Sequence, residues 1–273
     1  MDEKEIRGEI ERDLRLSPSQ TVIYLEGKTD PSILFALLGV PSPSDGLHKD
    51  VLVRGLGDKG SGASAVKARV DVATRLSPAR IVGVIDGDGE SLGILASNFD
   101  PPFVGPVFRW KGYCIENLLA KTGWPSDWGP PIDWPAELLK YVPYAALNRI
   151  HRDLRAVLET LDVAQFSHPS DKRPLKSPPD VLAALEADKH LLQSYDVAQR
   201  FQSELDSIQA NILGNLDEAH ACLNGKWFVD HLAPSITGRK SKQCRIDWIT
   251  HAASTGGLPE VTDWWARVTG SLP

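Results

Sequence analysis

The sequence lacks any run approaching the roughly 18 consecutive apolar residues that a membrane helix requires, so no spanning segment is expected. It also lacks a basic excess: 36 acidic against 30 basic side chains leave a net charge of −6. That excludes a uniformly basic nucleic-acid coat and leaves a local basic groove open. Cysteine is scarce, and Cys114, Cys222 and Cys244 form an odd, widely spaced set with no C-x-x-C pair. Neither a disulfide framework nor a zinc knuckle is supported. The seven histidines recur at no metal-ligand spacing, and no internal repeat is visible. The start, Met1-Asp2-Glu3-Lys4-Glu5, is charged where a signal peptide would be apolar, and a cytoplasmic protein is expected. At 273 residues and 42% apolar content the chain suits one large globular domain or two modest ones.

What is present is an alternation of the two hydrophobic periods. Glu3 to Leu16 reads as a charged helix ended by Ser17-Pro18-Ser19. Thr21 to Leu25, Val51 to Val53, Ile81 to Ile85 and Val104 to Trp110 read as strands, the first and third without alternation, as in strands covered on both faces. Asp30-Pro31 supplies a helix cap followed by proline at the first helical position. A loop follows from Gly39 to Gly46, and a helix runs from Ala63 to Leu76. This rhythm predicts an α/β half with a mostly parallel sheet over residues 1–123. The proline- and tryptophan-rich connector Trp124-Pro125 to Trp134-Pro135 breaks regular structure. A mainly helical region is expected over 124–273, with helices over Ala136 to Thr160, Asp180 to Leu192, Asp196 to Leu213 and Asp217 to Leu223. A polar loop is expected from Ser167 to Pro179, and a terminal helix carries Trp264-Trp265.

In parallel α/β sheets ligands bind beyond the carboxyl ends of the strands, and acids fall there. Glu26 follows the first strand, and Asp86 and Asp88 follow the third. Alternate residues of an extended segment point the same way, so Asp86 and Asp88 are expected to face one cation. Magnesium prefers oxygen ligands and often uses one or two carboxylates plus substrate phosphate.

On these residues the chain resembles the TOPRIM fold of topoisomerases, primases, recombination proteins and nucleases. Glu26-Gly27-Lys28-Thr29-Asp30, Asp86-Gly87-Asp88 and Ile115-Glu116-Asn117-Leu118-Leu119 are similar to one branch in particular. It holds nucleases of the overcoming-lysogenization-defect type and stand-alone TOPRIM proteins encoded with an ABC-type ATPase in bacterial anti-phage systems. The resemblance spans roughly residues 20 to 120, and more weakly Asn224-Gly225-Lys226. It implies a Rossmann-like TOPRIM domain and an Mg²⁺- or Mn²⁺-dependent nuclease. Glu26, Asp30, Asp86, Asp88 and Glu116 are its implied metal ligands, and Glu26, Asp86, Asp88 and Lys226 its catalytic groups. It further implies a nucleic-acid substrate, DNA or RNA with tRNA included, an ATPase partner that holds the effector in check, and a dimer through the α/β half as in similar proteins.

Each residue has a plainer reading. Asp30 is also a helix cap, Asp86-Gly87-Asp88-Gly89 a turn, Glu116 an acid at a helix start, and Lys226 a surface lysine. Gly55-Leu56-Gly57-Asp58-Lys59-Gly60 satisfies G-x-G-x-x-G, with Asp86 ending the next strand, which keeps a dinucleotide-binding fold open. A phosphate-binding P-loop is excluded because Ala63 replaces the required lysine. Asp86-Gly87-Asp88-Gly89 is also similar to the aspartyl-phosphate motif of haloacid-dehalogenase phosphatases, though Glu90 stands where that motif has Thr or Val. A non-catalytic subunit of an ATPase complex remains a third class of answer. Trp124, Trp128, Trp134, Trp264 and Trp265 suit either docking or a core. Arg239-Lys240-Ser241-Lys242, Lys28 and the lysine of the glycine loop are the candidate phosphate contacts.

Overall fold

The computed structural model describes residues 2–16, 21–57, 62–76, 81–99, 106–143, 145–146, 149–150 and 197–270. Helix α1 (Glu3–Leu16) precedes β1 (Thr21–Leu25), α2 (Asp30–Leu37), β2 (Leu47–His48), β3 (Val51–Gly55), α3 (Ala63–Leu76), β4 (Ile81–Ile85), α4 (Leu92–Phe99), β5 (Val107–Arg109) and α5 (Ile115–Lys121). The strands form one sheet in the order β2-β3-β1-β4-β5. All neighbours pair in parallel except β2, a two-residue antiparallel strand on β3. It is too short to leave a periodic signature and falls just after the Pro/Ser/Gly loop. β1 and β4 are buried along their whole length, which is why their sequences are continuous apolar runs without alternation.

One face of the sheet packs Val22, Tyr24, Leu52 and Ile81 against Ile6 and Ile10 of α1 and Val66, Val70 and Ala73 of α3. Gly83 lets α3 approach β4, since a side chain there would run into Val66 and Val70. The parallel strands, in chain order, lie with β3 on one side of β1 and β4 on the other. The chain therefore reverses its winding between β1 and β4, the switch point at which open α/β sheets bind ligands.

The chain divides into two compact units, Met1–Pro131 with Asn224–Pro273, and Ile132–Leu223. The compositional break at residue 123 is thus not a linear boundary, because the last fifty residues join the sheet unit. A π-helical turn (Phe228–Leu232) and helices α9 (Ala233–Thr237), α10 (Ser241–Ser254) and α11 (Pro259–Thr269) complete that unit. The return is tight: Leu258 N–H donates to the Leu37 carbonyl at 2.7 Å. Here the tryptophans are core. Trp264 lies 5.7 Å from both Phe99 and Trp110, and Trp124, Trp128 and Trp248 form a second cluster with centroids 4.8 to 5.6 Å apart. Trp128, Trp264 and Trp265 are buried, so a docking role does not fall to them.

In the other unit the described residues are helical: α6 (Trp134–Leu139), α7 (Val197–Gly214) and α8 (Leu216–Cys222). The helix expected from Ala136 is interrupted by a turn at Lys140–Tyr141, and helical backbone resumes at Val142 and Pro143, where proline is tolerated because a first-turn N–H needs no helical partner; the part of that span over 151–160 lies outside the described residues. Arg149 pairs with Glu204 at 3.0 Å, and the Asn215 side chain caps α8 by accepting from Asp217 N–H at 2.9 Å. The spans expected over Ser167 to Pro179 and Asp180 to Leu192 lie outside the described residues, as do residues 58–61 of the glycine loop.

Candidate functional site

At the β1/β4 switch point Glu26 and Asp86 are tied together. Glu26 Oε1 accepts the Asp86 backbone N–H at 2.8 Å, so the first residue after β1 clamps the first residue after β4. Asp86 is 8% exposed. Burial raises its pKa well above the ordinary carboxyl value, Lys226 opposes this, and Glu26, Asp30 and Glu116 add to it. Glu26 is half-buried and also raised, first by desolvation, against the hydrogen bond from Asp86 and with a further push from Asp88.

Asp30 opens α2 and is buried, yet it caps nothing. The N-cap is Thr29, without a side-chain cap bond, and Asp30 Oδ2 instead turns back to accept the Gly27 N–H at 2.7 Å. Desolvation, then the charge of Glu116, lifts its pKa to about 6. The cap expected from Asp30-Pro31 is therefore replaced by a loop clasp that holds the carboxylate inward.

Glu116 lies in the first turn of α5, 2% exposed. Oε1 meets Arg245 Nη1 at 2.6 Å, while Oε2 is buried with no hydrogen-bond partner of ordinary geometry. Desolvation works against its charge, but Lys226 and Arg245 outweigh it and hold the pKa below the usual carboxylate range. Lys226 is brought in by the segment after α8. Asn117 Oδ1 accepts the N–H groups of both Cys114 and Gly225 at 3.0 Å. A side chain at Gly225 would overlap Asn117 and the Glu116 carbonyl carbon, so glycine is required for this contact. Lys226 Nζ then stands 3.5 Å from Asp86 Oδ2 with half its side chain exposed. Desolvation opposes its charge, and the acids Asp86, Glu116 and Asp30 more than restore it. Cys114, fully buried beneath, has its thiol pushed well up by burial and the nearby acids, which keeps it neutral.

Asp88 departs from the expected alternation. β4 ends at Ile85, and Asp88 occupies a left-handed turn at φ 51°. Asp86 is therefore buried while Asp88 is exposed, and the two do not share a strand face. Asp88 remains close enough to raise Glu26. The structure thus gathers Glu26, Asp30, Asp86, Glu116 and Lys226, with Asp88 at the edge. Arg245 and Asn117, which pattern reading did not single out, belong to the same constellation. Asn117 sits in the Ile115-Glu116-Asn117 run, whereas Arg245 comes from α10 with no local signal. Arg239 of the basic stretch is taken up by Asp127 and Asp247 at 3.0 and 2.6 Å, leaving Lys240 and Lys242 exposed on their own.

The donor chemistry suits a hard divalent cation: carboxylate oxygens that raise one another's pKa, and one buried oxygen, Glu116 Oε2, left over. Among the described residues no three acidic, histidine or cysteine side chains stand together in ligand positions. Glu26 and Asp30 each spend an oxygen on a backbone N–H. Magnesium, which keeps several waters and takes one or two carboxylates, does not need a cage of three. No helix among the described residues is long and apolar enough to cross a membrane. No protein-family model matches the chain, and no curated protein or solved structure matches it significantly.

Proposed function

We propose that this chain is a Mg²⁺- or Mn²⁺-dependent nuclease of TOPRIM type. The observation that supports it is the clamp between Glu26 and Asp86 at the switch point, with Asp30, Glu116 and Lys226 closed around it. Asp86, Glu26 and Glu116 would hold the cation, with Asp88 and Asp30 at its margin. When bound, a divalent cation neutralises charge on a phosphodiester and activates water for attack. Lys226, with half its side chain exposed, its own N–H donated to Asn224 Oδ1 and the N–H of the preceding Gly225 to Asn117 Oδ1, orients a non-bridging phosphate oxygen. Arg245 keeps Glu116 ionised, and the neutral Cys114 thiol beneath takes no part as a nucleophile. In this reading the protein is the toxic effector of an anti-phage system restrained by an ABC-type ATPase, with DNA or RNA, tRNA included, as target.

The dinucleotide-binding reading is weaker. A Rossmann fingerprint places its ribose acid on the strand beside the glycine turn, but β3 and β4 are separated by β1, and Asp86 is buried under Lys226. The test is incubation of the purified protein, alone and with the product of its neighbouring gene, with DNA and RNA in Mg²⁺, Mn²⁺ or EDTA, followed by sequencing of the ends produced. Cleavage confined to the metal-containing reactions supports the reading, and intact nucleic acid in all of them refutes it.

A further inference from the structure

A second feature lies beside the acids on the α1/α3 side of the sheet. It is a cavity of about 530 Å³ lined by Glu9, Arg12 and Asp13 of α1, Tyr24 of β1, the β3 end from Arg54 to Gly57, and Arg69 of α3. Arg69 is held at 2.6 Å by Glu9, and Arg54 at 3.1 Å by the buried Asp13, which also accepts the Tyr24 hydroxyl at 3.2 Å. These bonds fix two guanidinium groups at the cavity wall. Arg12 is exposed and makes no ion pair among the described residues. Three arginines against two carboxylates make the lining net positive in a chain that is net negative. The volume falls within the about 300–1,000 Å³ of small-molecule sites, which is room for a nucleotide rather than a bare ion. Gly55 in its wall lies against Gly27 and Lys28, immediately after Glu26. The cavity and the acid cluster thus share a wall at the carboxyl ends of β1 and β3.

We propose that this cavity receives a nucleotide of the substrate strand next to the phosphodiester held at the acid cluster, its phosphate on the Arg12, Arg54 and Arg69 guanidinium groups. Planar guanidinium forks suit phosphate oxygens. This rests on a nucleic-acid strand being the substrate, as proposed above, and supplies the local positive charge that the net composition lacks.

The test is fluorescence anisotropy of a short labelled single-stranded oligonucleotide, as DNA and as RNA, with the full chain in EDTA, where nothing is cut. Arg12→Glu should weaken binding by about tenfold and lower the salt-dependence slope by about 1. Arg75→Glu, the same charge change on an exposed residue outside the lining, should alter it by no more than about twofold, because charge away from the contact is screened. Arg12→Ala should fall between, and circular dichroism should show all three folded, since Arg12 supports no other residue. Equal effects of Arg12→Glu and Arg75→Glu would overturn the proposal. So would binding of AMP alone as tightly as the oligonucleotide. Loss of binding in Arg12→Glu by a protein that never cuts in Mg²⁺ would keep the cavity and reject hydrolysis. Cutting in Mg²⁺ with normal binding by Arg12→Glu would do the reverse.

Discussion

Replacing Arg245 with methionine removes the closest partner of a carboxylate that is almost wholly buried. Arg245 Nη1 lies 2.6 Å from Glu116 Oε1, and the two side chains are 20% and 3% exposed. Breaking a buried pair by deleting one member costs about 3–5 kcal/mol, because the remaining charge is left uncompensated. Arg245 retains some contact with water and Lys226 stays in place, so about 2–3 kcal/mol is expected, at or just below the bottom of that range. At about 2–4 °C per kcal/mol for a unit of this size, Tm should fall by about 5–10 °C. Tryptophan fluorescence during urea unfolding reports this directly, since all of the eight tryptophans except Trp134 lie in the sheet unit. Glu116→Gln in the Arg245→Met background should recover part of the loss by removing the orphaned charge. The pH dependence has a definite sign. The folded pKa of Glu116 is depressed, so the stability it contributes is present above the unfolded value of about 4.3 and is lost as pH falls through the folded value. The Arg245→Met deficit should accordingly be full at neutral pH and shrink in acid. A deficit below about 0.5 kcal/mol at neutral pH, the size of an ordinary surface change, would refute the reasoning.

The remaining predictions concern the same cluster. Asp30 has its folded pKa raised to about 6, so ionising it destabilises the protein without a bound cation. The metal-free protein should gain stability as pH falls through 6, and the Tm increase produced by Mg²⁺ should be larger at pH 7.5 than at pH 5; thermal melts with and without the ion check both. Gly225→Ala should cost about 1–3 kcal/mol through overlap with Asn117 and Glu116, and should lower cleavage more than it lowers metal affinity because it displaces Lys226. Gly57→Ala should leave stability within about 0.5 kcal/mol, while dinucleotide binding measured by calorimetry should be absent before and after.

The part of the fold that carries Glu26 and Asp86 is legible because β1 and β4 are buried on both faces, and a polar residue directly after such a run marks the strand's end. The position of Asp88 is not, since alternation holds only while the chain stays extended, and the turn through Gly87 and Gly89 takes Asp88 into left-handed backbone. Asp30 reads as a cap from its place before Pro31, and only the folded β1–α2 loop reveals that its carboxylate reaches back to Gly27. Arg245 arrives from the far end of the chain with no local signal, and Lys226, suggested only by the weak Asn224-Gly225-Lys226 resemblance, meets Asp86 through a contact that no local pattern encodes. The same return of residues 224–273 to the sheet unit makes the composition break at residue 123 a poor guide to the compact units. Two-residue β2 has no period to read.

Cleavage by Glu26→Gln tests the central claim most directly. The substituted amide keeps the size of the side chain and an oxygen to accept the Asp86 N–H, so the clamp and the Tm should survive while the charge is lost. In single-turnover assays with Mn²⁺ and the substrate identified for the wild-type protein, the rate should fall by at least about 100-fold, about 2.7 kcal/mol in the barrier. A variant that folds normally and cuts at the wild-type rate would contradict the assignment of the acid cluster as the catalytic metal centre.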